Sequence, residues 1–526
     1  MKRRDFLKYT APAAVLPAFI NGFSIKAFAA SPMLNALSAA ADNDHVLVMI
    51  QLTGGNDGLN MVIPLDIYGK YQAARTNIAI KEDKVLRLES YKKSGLHPAM
   101  TGIQQLYGEG KVSIVQSVGY PTPNFSHFRA TDIWLTGSNS DEVLTTGWGG
   151  RYLDSQYPGF PDGYPNTDAP DPLAIQIGSI VSPAFQGENA SMGIAITSAT
   201  DFYNLIDGIT DPVPNTKWGK ELEYIRLIAK QTNSYEQSIK KAAAKVTSQG
   251  PYPANNYLAE QLKIVARLVA GGLKTRLYMV STGGFDTHAN QTEGGDTSKG
   301  GHAALLGGVS DAIKAFMDDL KGLHVSRRVV GMTFSEFGRR IKSNFSMGTD
   351  HGAAAPMIIF GDYVNQGVLG NSPAIPDNTA VADNIPMQYD FRSIYASILE
   401  QWFCVDQTTL QKIMGRDYQR LPLISGVACG TITGIPELNT DGKKLITNAP
   451  NPFTNYTTIT YITTGGNTMI QVFDTTGRLI SVPVNKVHTA GAYSFTFDGQ
   501  QLPSGIYYAR FQNGPFQQVR PMLKVN

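Results

Sequence analysis

Short apolar runs of strand length alternate with amphipathic stretches over residues 45–405. The apolar runs cover residues 45–52, 112–118, 277–281, 328–334 and 355–361. Each run is bounded by glycine or polar residues, as buried strands are. Apolar residues recur at helical spacing in residues 96–107, 218–246, 256–270 and 301–323. This alternation predicts an α/β fold, in which a doubly wound, mainly parallel sheet carries helices on both faces.

Two other segments depart from this pattern. Residues 138–215 are rich in glycine, proline and aromatic residues, which predicts an irregular surface insertion, either a lid or a wall of a substrate site. The periodicity fades again over residues 427–447, which we interpret as a linker. Residues 448–526 then show short alternating strands separated by turns, and these predict a small C-terminal all-β sandwich.

The first 30 residues have the pattern of an export signal. Arg3 and Arg4 precede Phe-Leu-Lys, an apolar segment follows at residues 11–20, and Ala-Phe-Ala at residues 27–29 is a small-x-small cleavage pattern. The paired arginines favour a twin-arginine signal; an ordinary secretory signal that carries two arginines is the alternative. Since two prolines interrupt the short apolar segment, we expect no transmembrane span. The α/β domain is then predicted over residues 31–426.

Composition and charge exclude some classes of function for this chain. The chain has 526 residues, of which 42% are hydrophobic, enough for a large core. Its formal charge of +2 becomes −2 when residues 1–29 are left out. Without a basic field to neutralise phosphates, nucleic acid is not an expected partner. Cys404 and Cys429 can form one disulfide in an oxidising compartment, but they are too few for a cysteine metal cluster.

Carboxylates and histidines follow or precede several of the apolar runs. Because the carboxyl ends of parallel strands meet at one edge of a sheet, we expect these side chains to lie together there. Mixed oxygen and imidazole ligands fit a divalent metal, with Zn²⁺ or Mn²⁺ favoured and Mg²⁺ or Ca²⁺ as alternatives. Asp286 and His288 alternate along the chain, so in an extended segment both side chains can face one side and share a cation.

The start of a predicted helix supplies the candidate catalytic groups. Ser126 lies at its first residue, where a hydroxyl can act as a nucleophile or contact a phosphate. Capping of the helix would explain a serine there equally well. His127 and Arg129 follow closely, and Thr122 is the reserve nucleophile. Arg129 or Arg339 is predicted to neutralise charge that develops on a reacting group.

Several motifs resemble those of an exported bacterial family known only as domain of unknown function 1501. They are TGGNDGLN at 53–60, GLHPAM at 95–100, SHF at 126–128, GRYL at 150–153, GGFDTH at 283–288, SEFGRR at 335–340, GTDHG at 348–352 and DFRSIYASIL at 390–399. That family is in turn similar to the alkaline phosphatase and sulfatase superfamily. The resemblance implies one or two divalent metals at strand ends and a nucleophile at a helix start.

By this resemblance, each candidate residue receives a role. Asp57 matches the first-strand metal carboxylate, Ser126 lies near the nucleophile, and Glu336 takes a later carboxylate position. Asp286 with His288, and Asp350 with His351, match the remaining ligand pairs. One departure is that Ser335-Glu336 stands where the superfamily has Asp-His, and the dipeptide follows only at 350–351. Without a Cys-x-Pro-x-Arg motif, formylglycine sulfatase chemistry is not expected.

Structural roles remain open for the same residues. Asp57 is also typical of a glycine turn, and Glu336 is also placed to form an ion pair with Arg339. The remaining acids and histidines are also typical of surface turns, or of histidines whose hydrogen bonds are satisfied inside the core. His97 precedes a proline at a helix start and is predicted to be structural. No functional role is expected for the other histidines, which are His45, His302, His324 and His488.

The C-terminal segment has its own resemblance. NPF at 451–453, VFDTTGRLI at 472–480 and LPSGIYYARF at 502–511 resemble the sorting domain of type IX secretion. An adhesive or carbohydrate-binding sandwich is the alternative. The resemblance implies that the chain uses the type IX machinery, after the twin-arginine translocase, and passes through the periplasm to the cell surface or the exterior.

The combined prediction is an exported, metal-dependent hydrolase of a small phosphate or sulfate ester. Ser126 or a water molecule would attack in line, with the metal polarising the ester. The alternative is a non-catalytic binding or assembly protein of the surface or periplasm, built on a degenerate hydrolase scaffold.

Overall fold

The computed structural model describes residues 19–20, 23–24, 44–197, 234–427, 429 and 446–525, except for 464–465, 476–477, 490 and 514–515. Residues 44–429 belong to one compact unit and residues 446–525 to another. Most of the predicted export signal and linker, and the first part of the helix predicted over 218–246, lie outside the described residues. Among those described, no helix combines the length and apolar character needed to cross a bilayer.

A central sheet organises the first unit. Within the described residues of this unit, the strands are β1 (Val46–Leu52), β2 (Val62–Pro64), β3 (Leu86–Leu88), β4 (Tyr91–Leu96), β5 (Val112–Gly119), β6 (Ala174–Ile177), β7 (Gly193–Ile196), β8 (Leu277–Thr282), β9 (Val329–Phe334), β10 (Ala355–Gly361), β11 (Gly367–Leu369) and β12 (Tyr389–Asp390). The central sheet has the order β11-β5-β10-β9-β1-β8-β6-β7, and β12 also pairs with β5. Strands β2, β4 and β3 form a small separate sheet.

The central sheet is mainly parallel, as predicted. Strand β1 lies between β9 and β8 and runs parallel to both. Strand β10 is the exception, because it is antiparallel to both neighbours, β9 and β5. Parallel neighbours need a crossover, usually helical. Residues 335–354 connect β9 to β10 without a helix, so the chain returns in the opposite direction.

Helices cover both faces of the sheet. In the described residues they are α1 (Gly58–Met61), α2 (Tyr68–Ala74), α3 (Thr101–Gly108), α4 (His127–Thr136), α5 (Trp148–Gln156), α6 (Tyr257–Ala270), α7 (Gly301–Gly322), α8 (Phe391–Gln401) and α9 (Gln407–Met414), with a further helix over residues 234–245. Alternate residues of β1 face opposite ways, as strand geometry requires. Val48 packs with residues of α3, α6 and α7, whereas Leu47 packs with residues of α4, α5, α8 and α9. The predicted doubly wound architecture is therefore confirmed.

Side chains cap several of these helices. The side chain of Asn256 accepts a hydrogen bond at the start of α6, and those of Asp390 and Asp406 do so for α8 and α9. Such caps satisfy backbone N–H groups that have no partner inside the helix. Ser126 occupies the N-cap position of α4, but its side chain makes no capping hydrogen bond.

The predicted irregular insertion over residues 138–215 is wrong for the part that the structure describes. Residues 138–197 contain α5, and they also contribute β6 and β7, which extend the central sheet beyond β8. Strands β6 and β7 have four residues each, too few for a clear periodicity. The surrounding glycines and prolines therefore concealed two parallel sheet strands. Residues 198–215 lie outside the described part.

The second unit is an antiparallel sandwich. Its described strands are β13 (Ile446–Ala449), β14 (Tyr456–Thr463), β15 (Gly466–Asp474), β16 (Leu479–His488), β17 (Gly491–Asp498), β18 (Gly505–Asn513) and β19 (Phe516–Lys524). They form one sheet in the order β13-β14-β17 and another in the order β16-β15-β18-β19. Ile459, Ile470 and Phe511 are fully buried in the shared core. This confirms the all-β prediction. The alternation had predicted strands only over residues 458–461, 469–473, 492–497 and 506–512, so β13, β16 and β19 had not been predicted. Strand β13 begins at Ile446, inside the predicted linker.

Candidate metal centre

Five strands direct their polar flanking residues to one edge of the central sheet. Strands β9, β1 and β8 are parallel neighbours, so the segments that follow them begin at the same edge. Strand β5 runs in the same direction as β9, because β5 and β9 are each antiparallel to β10. Its carboxyl end leads to His127, and β10 starts at this edge just after His351. Chain direction therefore brings together residues more than 200 positions apart.

Three histidines converge on one carboxylate. The Nε2 atoms of His288 and His351 lie 3.1 and 3.2 Å from Oδ1 of Asp286. Nε2 of His127 lies 3.6 Å from the other oxygen, Oδ2. The two imidazoles of His288 and His351 are themselves close, with their Nε2 atoms 2.9 Å apart. His127, Asp286 and His351 each offer a ligand atom within 4.8 Å of the others.

Each of the three imidazoles is held through its other nitrogen. Nδ1 of His127 lies 2.8 Å from Oε1 of Glu336, and Nδ1 of His288 lies 3.3 Å from Oδ1 of Asp350. Nδ1 of His351 lies 2.9 Å from the backbone oxygen of Phe125. Because these oxygens are acceptors, the network assigns the proton of each neutral imidazole to Nδ1. The three Nε2 lone pairs then point toward the shared carboxylate.

This arrangement fits a bound cation. Two unprotonated nitrogens 2.9 Å apart repel each other unless a positive charge lies between them. Tetrahedral zinc, with bonds of about 2.0–2.1 Å, places its ligand atoms roughly 3.3–3.4 Å from one another. The distances of 3.1 and 3.2 Å from Oδ1 of Asp286 to the histidines lie close to that spacing, and His127 faces the other oxygen, Oδ2, at 3.6 Å. Oxygen partners on the non-ligating nitrogens are also typical of metal-bound histidines.

A buried arginine supports the shared carboxylate. Nη2 of Arg339 donates to Oδ1 of Asp286 at 2.6 Å, while Nε and Nη1 donate to the backbone oxygens of Gly55 and Thr349 at 2.6 and 2.7 Å. Burial raises the pKa of Asp286, but the hydrogen bond and charge of Arg339 outweigh it and lower this pKa overall. Arg339 therefore fixes the carboxylate and does not match its predicted role of neutralising a reacting group.

Glu336 and Asp350 orient histidines in this structure, whereas the sequence predicted both as direct ligands. Oε1 of Glu336 accepts from the backbone N–H of Gly54 at 2.9 Å and contacts His127. Burial raises the pKa of Asp350, but hydrogen bonds from Asn344 and His288 lower it overall. Conversely, His127 had been predicted as a catalytic neighbour, and the structure places it with the ligand atoms.

Asp57 is also placed differently from the prediction. Its carboxylate is fully buried and pairs with Arg75, whose Nη1 lies 2.7 Å from Oδ1. Burial raises the pKa of Asp57, yet the charge of Arg75 keeps it below its usual value. Arg75 also donates to the backbone oxygens of Arg340 and Ile341, at 2.7 Å each. Asp57 thus fixes the loop after β9 through an ion pair and leaves the ligand cluster to other residues.

Gln291 is a site residue that the sequence analysis missed. Its Nε2 donates to Oδ2 of Asp57 at 2.5 Å. Its Oε1 accepts from the hydroxyls of Thr287 and Thr349 at 3.0 Å each. Since Thr287 lies between Asp286 and His288, and Thr349 precedes Asp350, this one buried amide links the loops that carry the ligands. No motif marked it, because a lone glutamine after a strand end has no characteristic spacing.

Two of the predicted catalytic residues lie outside the cluster. Arg129 binds the carboxylate of Asp132 and the backbone oxygens of Asn139 and Ser140, so it holds the loop after α4. The prediction that it acts on a reacting group is not supported by this geometry. Ser126 is exposed, and its backbone N–H donates to Oδ1 of Asn124 at 2.9 Å. It immediately precedes His127 and remains a candidate nucleophile.

The histidines predicted to be structural lie in such positions. His97 and His302 are each 1% exposed. Nδ1 of His97 accepts from the N–H of Ala99 at 3.1 Å, and Nε2 of His302 contacts Oδ1 of Asn56 at 3.0 Å. Burial lowers the pKa of His97 to about 3 and that of His302 to about 4. Both are therefore neutral core groups at ordinary pH.

Comparison with known proteins identifies two regions of the chain. Residues 227–421 match the family described as "Protein of unknown function (DUF1501)", and residues 449–524 match the "Secretion system C-terminal sorting domain". No curated protein sequence matches the chain. These matches confirm the predicted resemblances of both regions.

The comparison with solved structures gives matches of low sequence identity and low TM-score. Ps i-CgsB, in complex with k-i-k-neocarrahexaose, is 10% identical, with a TM-score of 0.35 and coverage of 72% of this chain and 75% of that one. The PsFucS1 sulfatase from Pseudoalteromonas sp. is also 10% identical, with a TM-score of 0.31 and coverage of 90% and 88%. A protein in the alkaline phosphatase superfamily from Vibrio parahaemolyticus is 9% identical, with a TM-score of 0.29 and coverage of 100% and 92%.

The sorting domain also bears on where the protein acts. A type IX C-terminal sorting domain directs export to the cell surface or the extracellular space, as predicted. The chain is thus similar to the DUF1501 family over residues 227–421 and carries a C-terminal sorting domain over residues 449–524.

Proposed function

We propose that this exported protein is a divalent-metal-dependent hydrolase of phosphate or sulfate esters. The observation that carries the proposal is the convergence of the Nε2 atoms of His127, His288 and His351 on Asp286, with an oxygen acceptor at each Nδ1. These four side chains would hold the metal. Glu336 and Asp350 would set the orientation of two of the imidazoles.

The donor set favours particular metals. Three imidazoles and one carboxylate suit Zn²⁺ or Mn²⁺ better than Mg²⁺ or Ca²⁺, which prefer oxygen ligands. When bound, such a metal polarises an ester oxygen and lowers the pKa of a coordinated nucleophile. The chain supplies the rest. Arg339 binds the carboxylate of Asp286, and burial lowers the pKa of His351 below its usual value.

The nucleophile in this proposal is Ser126 or a water molecule. Ser126 has an exposed hydroxyl at the positive end of α4, directly before a metal-binding histidine. Attack on phosphorus or sulfur would expel the ester's alcohol, and water would complete the hydrolysis. Ser126→Ala separates the two routes, because only the serine route loses turnover while metal content is unchanged.

We propose that export begins at the twin-arginine translocase. That route carries folded proteins, so the metal centre could be assembled before the chain leaves the cytoplasm. The type IX machinery would then act on residues 449–524. Replacing Arg3 and Arg4 by lysine should block export of the whole chain, which fractionation of cells followed by immunoblotting would measure.

Metal content tests the proposal most directly. The purified full chain is expected to contain about one Zn²⁺ or Mn²⁺ by elemental analysis, and Asp286→Asn or His351→Ala should lose it. His324→Ala is the matched control, because His324 is an exposed histidine on the turn after α7. Retention of the metal by both site variants would contradict the proposed centre.

Turnover distinguishes hydrolysis from binding alone. Aryl phosphates, phosphodiesters and aryl sulfates should be screened with metal-loaded protein. A non-catalytic binding protein is the second candidate, because carboxylates and backbone oxygens already occupy both arginines that were predicted to neutralise a reacting group, Arg129 and Arg339. Folded, metal-loaded protein that hydrolyses none of these esters would favour this second function.

A further inference from the structure

Three phenylalanine side chains stand exposed on the segments that carry the metal centre. The exposed fractions are 37% for Phe125, 92% for Phe128 and 107% for Phe345. Among the phenylalanines whose side-chain exposure the structure describes, no other is exposed to this degree. Large apolar side chains in water are informative when they cluster at a polar site, because such clusters mark surfaces that bind something.

Each of these phenylalanines is tied to the ligand histidines through its own segment. The backbone oxygen of Phe125 lies 2.9 Å from Nδ1 of His351, and Phe128 directly follows His127. Phe345 follows Asn344, whose Nδ2 donates to Oδ1 of Asp350 at 3.2 Å and to the backbone oxygen of His288 at 2.9 Å. The three residues are called the phenylalanine rim below.

The interior of the site is packed in the opposite manner. Phe337 is 1% exposed, and its ring centroid lies 4.9 Å from that of His127 and 4.6 Å from that of His351. This buried ring packs against both imidazoles. The loops around the site can therefore bury a phenylalanine side chain. The residues of the phenylalanine rim are exposed because they lie on the outside of these loops.

We propose that the phenylalanine rim binds the non-reacting part of the ester, and that this part is an uncharged aryl group. The inference rests on the proposed function, since the reacting anion would occupy the metal centre. The rest of such a molecule would lie beside the rim, because Phe128 adjoins His127, and Phe125 and Asn344 contact His351 and His288. Phenylalanine side chains offer no hydrogen bonds and no charge, so they favour an apolar ring, through stacked or edge contacts, over a polyol or a second anion.

Two phosphonates that the enzyme cannot hydrolyse test the substrate class. The metal-loaded full chain is titrated calorimetrically with phenylphosphonate and with methylphosphonate, which share the anion and differ in the apolar group. Wild-type protein should bind phenylphosphonate about tenfold more tightly, as an apolar contact predicts. Phe128→Ala and Phe345→Ala should each remove most of this preference and leave methylphosphonate binding unchanged.

The control is Tyr456→Ala, which removes an exposed aromatic residue of the sandwich and should change neither affinity. Equal binding of both phosphonates by wild-type protein, or equal losses for both in the rim variants, would overturn the rim proposal while the hydrolase proposal stands. Failure of metal-loaded protein to bind either phosphonate would overturn both proposals. Light scattering measures the oligomeric mass of the same variants. If the mass changes in the rim variants while their phosphonate affinities stay at the wild-type values, the rim is a contact between copies of the chain, and the aryl-site proposal is overturned.

Discussion

At the scale of single residues, exposure separates the histidines that can bind a ligand from those that cannot. The side chains of His127, His288 and His351 are 35%, 46% and 23% exposed. His97 and His302 are buried and hold neutral imidazoles inside the fold. All five are the same residue type in polar stretches of sequence, so their roles follow from where the fold places them.

The two buried histidines predict an acid sensitivity of folding. Their pKa values of about 3 and about 4 in the folded state lie below the unfolded value of about 6.5. Below pH 6.5 the unfolded chain therefore binds more protons. Stability that is complete above that pH should fall as the pH drops from about 6.5 toward 4, by up to about 1.4 kcal/mol per pH unit for each histidine. Urea unfolding at pH 7 and at pH 5 measures the loss.

A variant isolates this effect from other acid-sensitive groups. His302→Gln removes one of the two titrating imidazoles, so the difference in unfolding free energy between pH 7 and pH 5 should shrink. Exposed His324 provides the matched variant His324→Gln, for which the difference should stay at the wild-type value. The same pH dependence in all three proteins would show that His302 is not responsible.

The residue types of the site could be predicted from sequence, but several partners could not. Carboxylates and histidines at strand ends indicated the convergence of Asp286, His288 and His351. The role of Asp57 depends on Arg75, which follows a short helix and carries no motif of its own. Whether a carboxylate faces a site or a buried guanidinium depends on contacts across the fold, and spacing along the chain does not contain them.

At the scale of elements, one antiparallel strand determines which residues reach the site. Because β10 is antiparallel to β9, the 20 residues between them can return along the same edge of the sheet. That segment holds Glu336, Arg339 and His351 within one connection. The sequence predicted every strand of this region but not the reversal, since an apolar run has the same composition in either direction.

Gln291 should control how precisely these loops hold the ligands. Gln291→Leu leaves Asp57 and the hydroxyls of Thr287 and Thr349 without their shared partner. Metal affinity is expected to fall about 10- to 100-fold, the typical cost of losing a group that supports metal ligands. Competition with a chromogenic chelator measures this affinity.

A second buried glutamine supplies the control. Gln261 binds the backbone N–H and oxygen of Ser281 on β8, so Gln261→Leu should also destabilise the fold while metal affinity changes little. Comparable losses of affinity in the two variants would mean that general destabilisation, and not loop positioning, weakens the centre.

At the scale of the whole molecule, a disulfide closes the end of the first unit. Cys404 and Cys429 are bonded and are separated by 25 positions in sequence. Closing a loop of this length should stabilise the fold by about 3 kcal/mol through the lost entropy of the unfolded chain. The double variant Cys404→Ser/Cys429→Ser should unfold at correspondingly lower urea concentration, and reducing agent should lower the stability of wild-type protein to the same level. An effect below about 0.5 kcal/mol would contradict this account.

The layers of the fold were easier to predict from the sequence than the positions of its short strands. The long apolar runs and amphipathic helices predicted a mainly parallel sheet covered on both faces, and both faces are packed as expected. The short strands β6 and β7 were assigned to an irregular insertion because glycine and proline surround them. In the sandwich, β16 buries few side chains, so its alternation is too weak to mark a strand.

The position of the disulfide has a consequence for processing. Its second cysteine, Cys429, lies before every residue of the sandwich, which begins at Ile446. Proteolytic cleavage anywhere in residues 430–445 would remove the sorting tail. It would leave the loop closed by the Cys404–Cys429 disulfide intact, and it would remove none of the residues of the candidate metal centre. A chain shortened in this way would keep His127, Asp286, His288 and His351 together on one cross-linked polypeptide.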